Sequence, residues 1–478
     1  MARIETNYPF SKYIVQSDSL TPKERKTAEA VKDLIGRKMD VSAFCRECGI
    51  DNDMHAKTIL AKVDPTKVGR VLGESEKADF RLSVRELLAT TDVDKERVAR
   101  VVSSELFGFK LIQPLLEDDE LEEIMVNGPG PVLVFHRKHG ICECDVSFEN
   151  DRDVRRLVEQ LTSLSDRPLQ DVKLPDGSRA NIVLPPLVPH AAITIRKYRN
   201  KPLSVVDLVK EGTISPEVGG FLWVAIDGLR FFPLNVLVVG GSASGKTTML
   251  NSFTAFIPPH ERVVSLEETP ELNLVGRKDW VQLEGGTAAS LDDLLKNSLR
   301  MRPDRILVGE VRGREAETLF TAMNVGHRGL MSTIHANSDR DAVKRLENHP
   351  MNVPRSLIPL VDLVVVVNRV IDRKRGVIRR VMQVSEVSRI EDEIALNEVY
   401  HWNPVEDKIE RTEVSSEARE KLCKACGISS EEFEEEVANR AQILQLMAER
   451  NVTDALSVNK FMAEFYGKLA KEETRFTR

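Results

Sequence analysis

Residues 235–253 leave few folds open to this chain. Gly240-Gly241-Ser242-Ala243-Ser244-Gly245-Lys246-Thr247 meets the pattern G-x-x-x-x-G-K-[ST] at every fixed position. The apolar run Asn235–Val239 before it reads as a buried parallel strand. Thr247–Phe253 after it reads as a helix, stopped by Pro258-Pro259. In that order the backbone N–H groups of the loop can close around a phosphate at the positive end of a helix dipole. Lys246 would bring a point charge to the β- and γ-phosphates, and the Thr247 hydroxyl would sit on Mg²⁺. Gly240 to Thr247, with Thr248 beside them, are therefore the candidate residues for binding ATP.

A chain of 478 residues is too long for one core and predicts about three domains. A net charge of −7 and 5% aromatic residues argue against a nucleic-acid channel, which needs basic charge and stacking rings. No apolar run approaches the roughly 18 residues of a membrane span, and Met1–Glu5 opens no signal peptide. The expectation is a cytoplasmic protein whose membrane role passes through a partner. The six cysteines fall in pairs, Cys45/Cys48, Cys142/Cys144 and Cys423/Cys426. A zinc site across the two C-x-x-C pairs is one reading. The other is a left-handed helix cap at the glycine that follows each, Gly49 and Gly427.

Residues 1–110 read as helical, with Thr21-Pro22-Lys23-Glu24 as a capped start. The helix that follows carries Lys23, Arg25, Lys26, Lys32, Arg37 and Lys38, which could meet an acidic partner or anionic lipid. Glu24, Glu29 and Asp33 between them fit a solvated face instead. Residues 111–200 read as an α+β domain. It opens with a short helix over Asp118–Met125, continues in strands Val132–His136 and Ile141–Phe148, turns at Pro175-Asp176-Gly177 and ends in strands Arg179–Leu184 and Ala192–Arg199. Arg179 and Arg196 lie on those strands; they are either ordinary surface arginines or planar forks for phosphate oxygens. A linker is expected over 201–215.

Past the phosphate loop the chain repeats strand–helix units. Arg262–Leu266 is a strand ending in the acids Glu267, Glu268 and Glu271, at the edge where α/β folds bind ligands. Those acids are either a Mg²⁺ contact or a solvated turn. Ile306-Leu307-Val308 ends in Gly309-Glu310, and a lone Glu there suits deprotonation of an attacking water. His335 ends a third strand, Leu330–His335, where it could donate to a γ-phosphate or be a structural residue. The ATPase domain is expected over 216–400, and an acidic helical accessory bundle over 401–478.

Four boxes in this order resemble the secretion ATPase superfamily of type II secretion, type IV pilus and archaellum motor ATPases. They are Gly240–Thr247, Leu266-Glu267-Glu268-Thr269-Pro270-Glu271, Leu307-Val308-Gly309-Glu310-Val311-Arg312, and Gly326-His327 with Thr333-Ile334-His335-Ala336-Asn337. Val134–Gly140 and Pro350-Met351-Asn352-Val353-Pro354 look most like the archaellum ATPase. The resemblance implies an α/β fold, a RecA-like phosphate-loop core preceded by an α+β (PAS-like) domain, with helical segments at both ends. It implies a homo-hexamer using ATP and Mg²⁺, with nucleotide between the two domains of each protomer. Glu310 would be the catalytic base, helped by Glu268; Arg179 and Arg196 would stabilise charge. His335 would contact the γ-phosphate, His327 the nucleotide, and Glu267 with Thr247 the metal. Glu268 stands where the family commonly has Asp.

The resemblance further implies a position at the cytoplasmic face of the membrane. The partners would be a polytopic platform protein and other cytoplasmic motor components, with anionic lipid as a further contact and no nucleic acid. A pilus or type II-like secretion ATPase shares the same chemistry. A nucleic-acid translocase would need the basic, aromatic channel that the composition lacks.

Overall fold

The computed structural model describes residues 3–5, 11–15, 20–50, 53–64, 72, 74–162, 167–198, 201–373, 375–391 and 393–476. Met1, Ala2 and Arg199 of the sequence reading lie outside the described residues. The chain divides into two compact units, with the boundary between residues 200 and 201.

The first unit opens with two short strands, β1 (Arg3–Glu5) and β2 (Ser11–Ile14). Five helices follow: α1 (Pro22–Ile35), α2 (Val41–Cys48), α3 (Asp53–Leu60), α4 (Glu74–Leu87) and α5 (Lys95–Phe107). The cap read at Thr21 is present: its side chain accepts from the Glu24 N–H, and the Glu24 carboxylate accepts from the Thr21 N–H. Val31, Phe44, Val84, Leu88, Val98 and Val102 form a core that belongs to these helices alone. The basic side chains of α1 face acids of the same bundle, Lys23 to Asp92 at 3.2 Å and Lys26 to Glu47 at 3.5 Å. That pairing favours the solvated-face reading.

The rest of the first unit is α6 (Gln113–Glu117), β3 (Leu121–Asn127), β4 (Gly130–His136), β5 (Gly140–Phe148), α7 (Asp151–Leu161), β6 (Leu169–Lys173), β7 (Arg179–Val183) and β8 (Ala192–Arg196). The strands form an eight-stranded sheet ordered β1-β2-β5-β4-β3-β8-β7-β6. Ile124, Val134, Ile182, Ile193 and Ile195 project from it onto Val154, Leu157 and Leu161 of α7. Two expectations change here. In place of a helix over Asp118–Met125 the chain forms the central strand β3 from Leu121 on, and the amino-terminal region adds β1 and β2 to the sheet, β2 pairing parallel with β5.

The second unit begins with α8 (Val205–Lys210), α9 (Pro216–Asp227), β9 (Val236–Gly240) and α10 (Lys246–Phe253). It continues with β10 (Val263–Glu267), β11 (Trp280–Glu284), α11 (Leu291–Ser298), β12 (Arg305–Val311), α12 (Glu315–Asn324), β13 (Met331–His335) and α13 (Asp339–Glu347). The last elements are β14 (Leu363–Asp372), β15 (Gly376–Ile390), β16 (Glu393–Asn403), β17 (Lys408–Arg411), α14 (Glu417–Cys426), α15 (Ser430–Glu449) and α16 (Ala455–Phe476). A nine-stranded sheet runs β11-β10-β12-β13-β9-β14-β15-β16-β17, parallel from β11 to β14 and antiparallel beyond. Its central strands are apolar on both faces, as burial between two helical layers requires. Val236 and Val238 look toward α9 and α10, while Leu237 and Val239 look toward α11–α13.

Two boundaries move. Residues 201–215 are not a linker, because Val205, Val206 and Leu208 of α8 are buried in the main core. Nor do the carboxyl-terminal helices stand apart. Phe433, Val437 and Leu444 of α15 and Tyr466 of α16 join the same core. α15 lies so close to α9 that a Cβ on Gly220 would meet the Val437 carbonyl at 2.5 Å. The caps read at Gly49 and Gly427 are present, each at φ 68°. None of the six cysteines forms a disulfide, and no cluster with metal-ligand composition occurs among the described residues.

Candidate functional site

The phosphate loop leaves the carboxyl end of β9 and enters α10. Gly245, at φ 94°, is the helix cap, and no side chain caps the first N–H groups of α10. Ala243 is also left-handed, at φ 55°. Gly240 has no room for a side chain, since a Cβ would lie 2.3 Å from both Ser244 Oγ and the Val367 carbonyl. Lys246 is buried and donates from Nζ to the Gly241 carbonyl at 2.9 Å, closing the loop on itself. Ser244 Oγ is buried with no hydrogen-bond partner. An uncapped helix start, a lysine folded over its own loop and an orphaned hydroxyl fit a phosphate. Thr247 and Thr248 follow on the first turn, half-buried.

Strand order brings the other candidates to the same edge. β13 lies between β9 and β12, and His335 is the register partner of Gly240. The β12–β13 register slips by one residue between Val308 and Val311, so a bulge falls at Gly309-Glu310. A bulge re-aims a side chain, and here it is the expected base. Thr333 Oγ1 donates to the Gly309 carbonyl at 2.7 Å and pins the bulge. Arg312 donates from Nη2 to Glu310 Oε2 at 2.6 Å, and its Nη1 lies 3.9 Å from Glu268. One guanidinium thus gathers both acids. His335 has its pKa below the ordinary imidazole value, first through burial and then through the Lys246 cation, while Glu310 pulls the other way.

Glu267 does not serve as expected. Its carboxylate accepts from the N–H groups of Glu271 (2.9 Å) and Leu272 (3.0 Å) and from Gln282 Nε2 (3.1 Å). It is 2% exposed, and burial raises its pKa. Those donors make it the brace of the acidic loop rather than a metal ligand. Glu268 beside it is the acid that faces solvent.

His327 is also misplaced by the sequence reading. Leu330 and Met331 pair with the start of β9, where Val236 donates to the Leu330 carbonyl at 3.0 Å. His327 precedes them, on the opposite edge from Gly240, with a strand length of about 13 Å between. Within this chain it cannot touch the phosphate loop. Arg179 and Arg196 belong to the first unit. They are direct partners across β7 and β8, and Glu123 of β3 is opposite Arg196.

One residue at the loop had no signal in the sequence. Arg379 of β15 donates from Nε to the Ala243 carbonyl at 3.3 Å, and its methylene lies 3.2 Å from where a Cβ on Gly245 would be. Arg312 was visible only as the tail of a motif.

The family model described as Type II/IV secretion system protein matches residues 105–478. The chain belongs to this family. The uncharacterized protein MJ0900 of Methanocaldococcus jannaschii is 32% identical over 427 residues, 84% of this chain and 76% of that protein. The uncharacterized protein MJ0781 of the same organism is 43% identical over 241 residues, which is 46% of this chain and 33% of the relative. The chain therefore spans only about a third of that relative's length. The probable conjugal transfer protein TrbB of Sinorhizobium fredii is 33% identical over 289 residues, 57% of this chain and 85% of its own. As a member of the secretion family the chain carries its matched region through the whole second unit. Among the described residues, no helix is long and apolar enough to cross a membrane.

Proposed function

We propose that this chain is an ATP-hydrolysing motor subunit that powers archaellum assembly, and rotation with it, through a polytopic membrane platform protein. The carrying observation is the gathering of the phosphate loop, the bulged Glu310 and His335 at one edge of one parallel sheet. Lys246 and the first N–H groups of α10 hold the phosphates, with Ser244 Oγ a further donor. Thr247 holds Mg²⁺, which when bound neutralises phosphate charge. Glu310 takes the proton of the attacking water, and Glu268 orients that water through the shared Arg312. His335 stays neutral at neutral pH and donates to the γ-phosphate. Arg179 and Arg196 stabilise developing charge on a nucleotide held by a neighbouring subunit of a hexameric ring.

The motifs Val134–Gly140 and Pro350–Pro354 support the archaellum, as do archaeal relatives. The similarity to TrbB, a probable conjugal transfer protein, favours a second reading, a secretion or transfer machine with the same chemistry. ATP hydrolysis per protomer, measured against protein concentration alongside light scattering, tests the ring. Specific activity is expected to rise as hexamers form and to fall in Arg179→Ala and Arg196→Ala. Activity that is flat with concentration and indifferent to both arginines would refute the trans arrangement.

A further inference from the structure

β14 and β15 do not stop where β9 stops. Val366 pairs with Val239, the last register position shared with β9, and β14 continues to Asp372 before β15 returns from Gly376. In this overhang Val367 pairs with Val381, Arg369 with Arg379, and Ile371 with Val377. Direct antiparallel partners share a face, and so do residues two apart on a strand. Val367 and Val381 are buried with Val238, Met249 and Leu250, on the face that α10 covers. Carried outward, that face bears the arginine pair and then Ile371 with Val377. It therefore stands over the phosphate-loop end of α10. The contacts of Arg379 with Ala243 and Gly245 agree with this direction.

Ile371 is 77% exposed, an aliphatic side chain held in solvent beside a phosphate-binding loop. From Arg379 to Val377 along the strand is about 7 Å, the order of separation that ribose sets between phosphates and base. Ligand sites pair an apolar lining with a few placed polar groups, and the overhang offers both in that sequence. We propose that it is the nucleobase wall of the site. Ile371 and Val377 take the flat face of a purine, and Arg379 bridges from the phosphate loop to the ribose side. This rests on the reading that the loop binds a nucleoside triphosphate.

The test is equilibrium binding of ATP and of inorganic triphosphate, each with Mg²⁺, to the full chain. It uses the native protein, an Ile371→Ser/Val377→Ser double variant, Arg379→Gln and Lys246→Ala. The native protein should prefer ATP by about tenfold or more. The double variant should lose that preference while keeping native affinity for triphosphate, which also reports an intact loop. Arg379→Gln should weaken ATP more than triphosphate, and Lys246→Ala should weaken both. A double variant that keeps the preference would overturn the inference. So would an equal loss of ATP and triphosphate, which would make the hairpin a prop for the loop. A native protein that binds neither would sink the phosphate-loop reading itself.

Discussion

Gly309 stands where a side chain would collide with Glu267: a Cβ there would lie 2.7 Å from Glu267 Cγ. The neighbouring strands explain why. Leu266 pairs with Val308, so the brace of the acidic loop lies against the start of the bulge that carries Glu310. The sequence shows a glycine before Glu310, but not its cause, which needs the side chain of a residue 42 positions earlier. Gly309→Ala should lower stability by about 2 kcal/mol through overpacking and impair hydrolysis by shifting Glu310. The midpoint of denaturant unfolding and a turnover assay check it; an unchanged midpoint with full turnover would contradict the account. The places of Lys246 at the head of α10 and of Glu310 and His335 near strand ends were legible, because motif context marks all three. Glu267 was misread because its partners are backbone N–H groups, which no side-chain pattern announces.

The strand β3 shows how an element can hide. Its run of acids favours a helix by propensity, yet Ile124 and Val126 face the core and the register slips between Leu121 and Glu123. That bulge lets neighbouring glutamates sit away from the core, so tertiary pairing overrides local preference. The β14–β15 overhang was likewise invisible, because only pairing with β9 brings Arg379 to the loop. Its base is anchored where Arg380, 4% exposed, donates to Asp407 from Nε at 2.8 Å and from Nη2 at 2.9 Å. These bonds, with lesser help from Trp402 and Arg375, hold the Asp407 pKa well below the ordinary carboxylate range. A depressed carboxylate stabilises above its unfolded pKa, and the contribution fades as pH falls toward its folded one. Asp407→Asn should therefore cost about 2 kcal/mol at neutral pH, with the deficit shrinking below about pH 4. Denaturant midpoints of both proteins across that range test it; a deficit that is constant with pH would exclude the ion pair as its source.

At the scale of the molecule, the carboxyl-terminal helices are built into the core on one face of the second unit's sheet rather than appended to it. The acidic sequence of α15 reads as solvated because the acids are plentiful; its buried stripe of Phe433, Val437, Arg440, Leu444 and Met447 is sparser. Arg440, 3% exposed, meets the fully buried Asp227 at 3.1 Å. Tyr466 ties Asp227 to the Phe256 carbonyl just past α10. α16 is thus hydrogen-bonded to the turn that follows the helix beginning at the phosphate loop. The central claim is that this unit hydrolyses ATP with Glu310 as base. The direct measurement is ATP binding and turnover by native protein and Glu310→Gln under identical conditions. The account predicts retained binding with turnover lowered by about 100-fold or more. Turnover near the native rate in Glu310→Gln would contradict it and move the base to another acid of the edge.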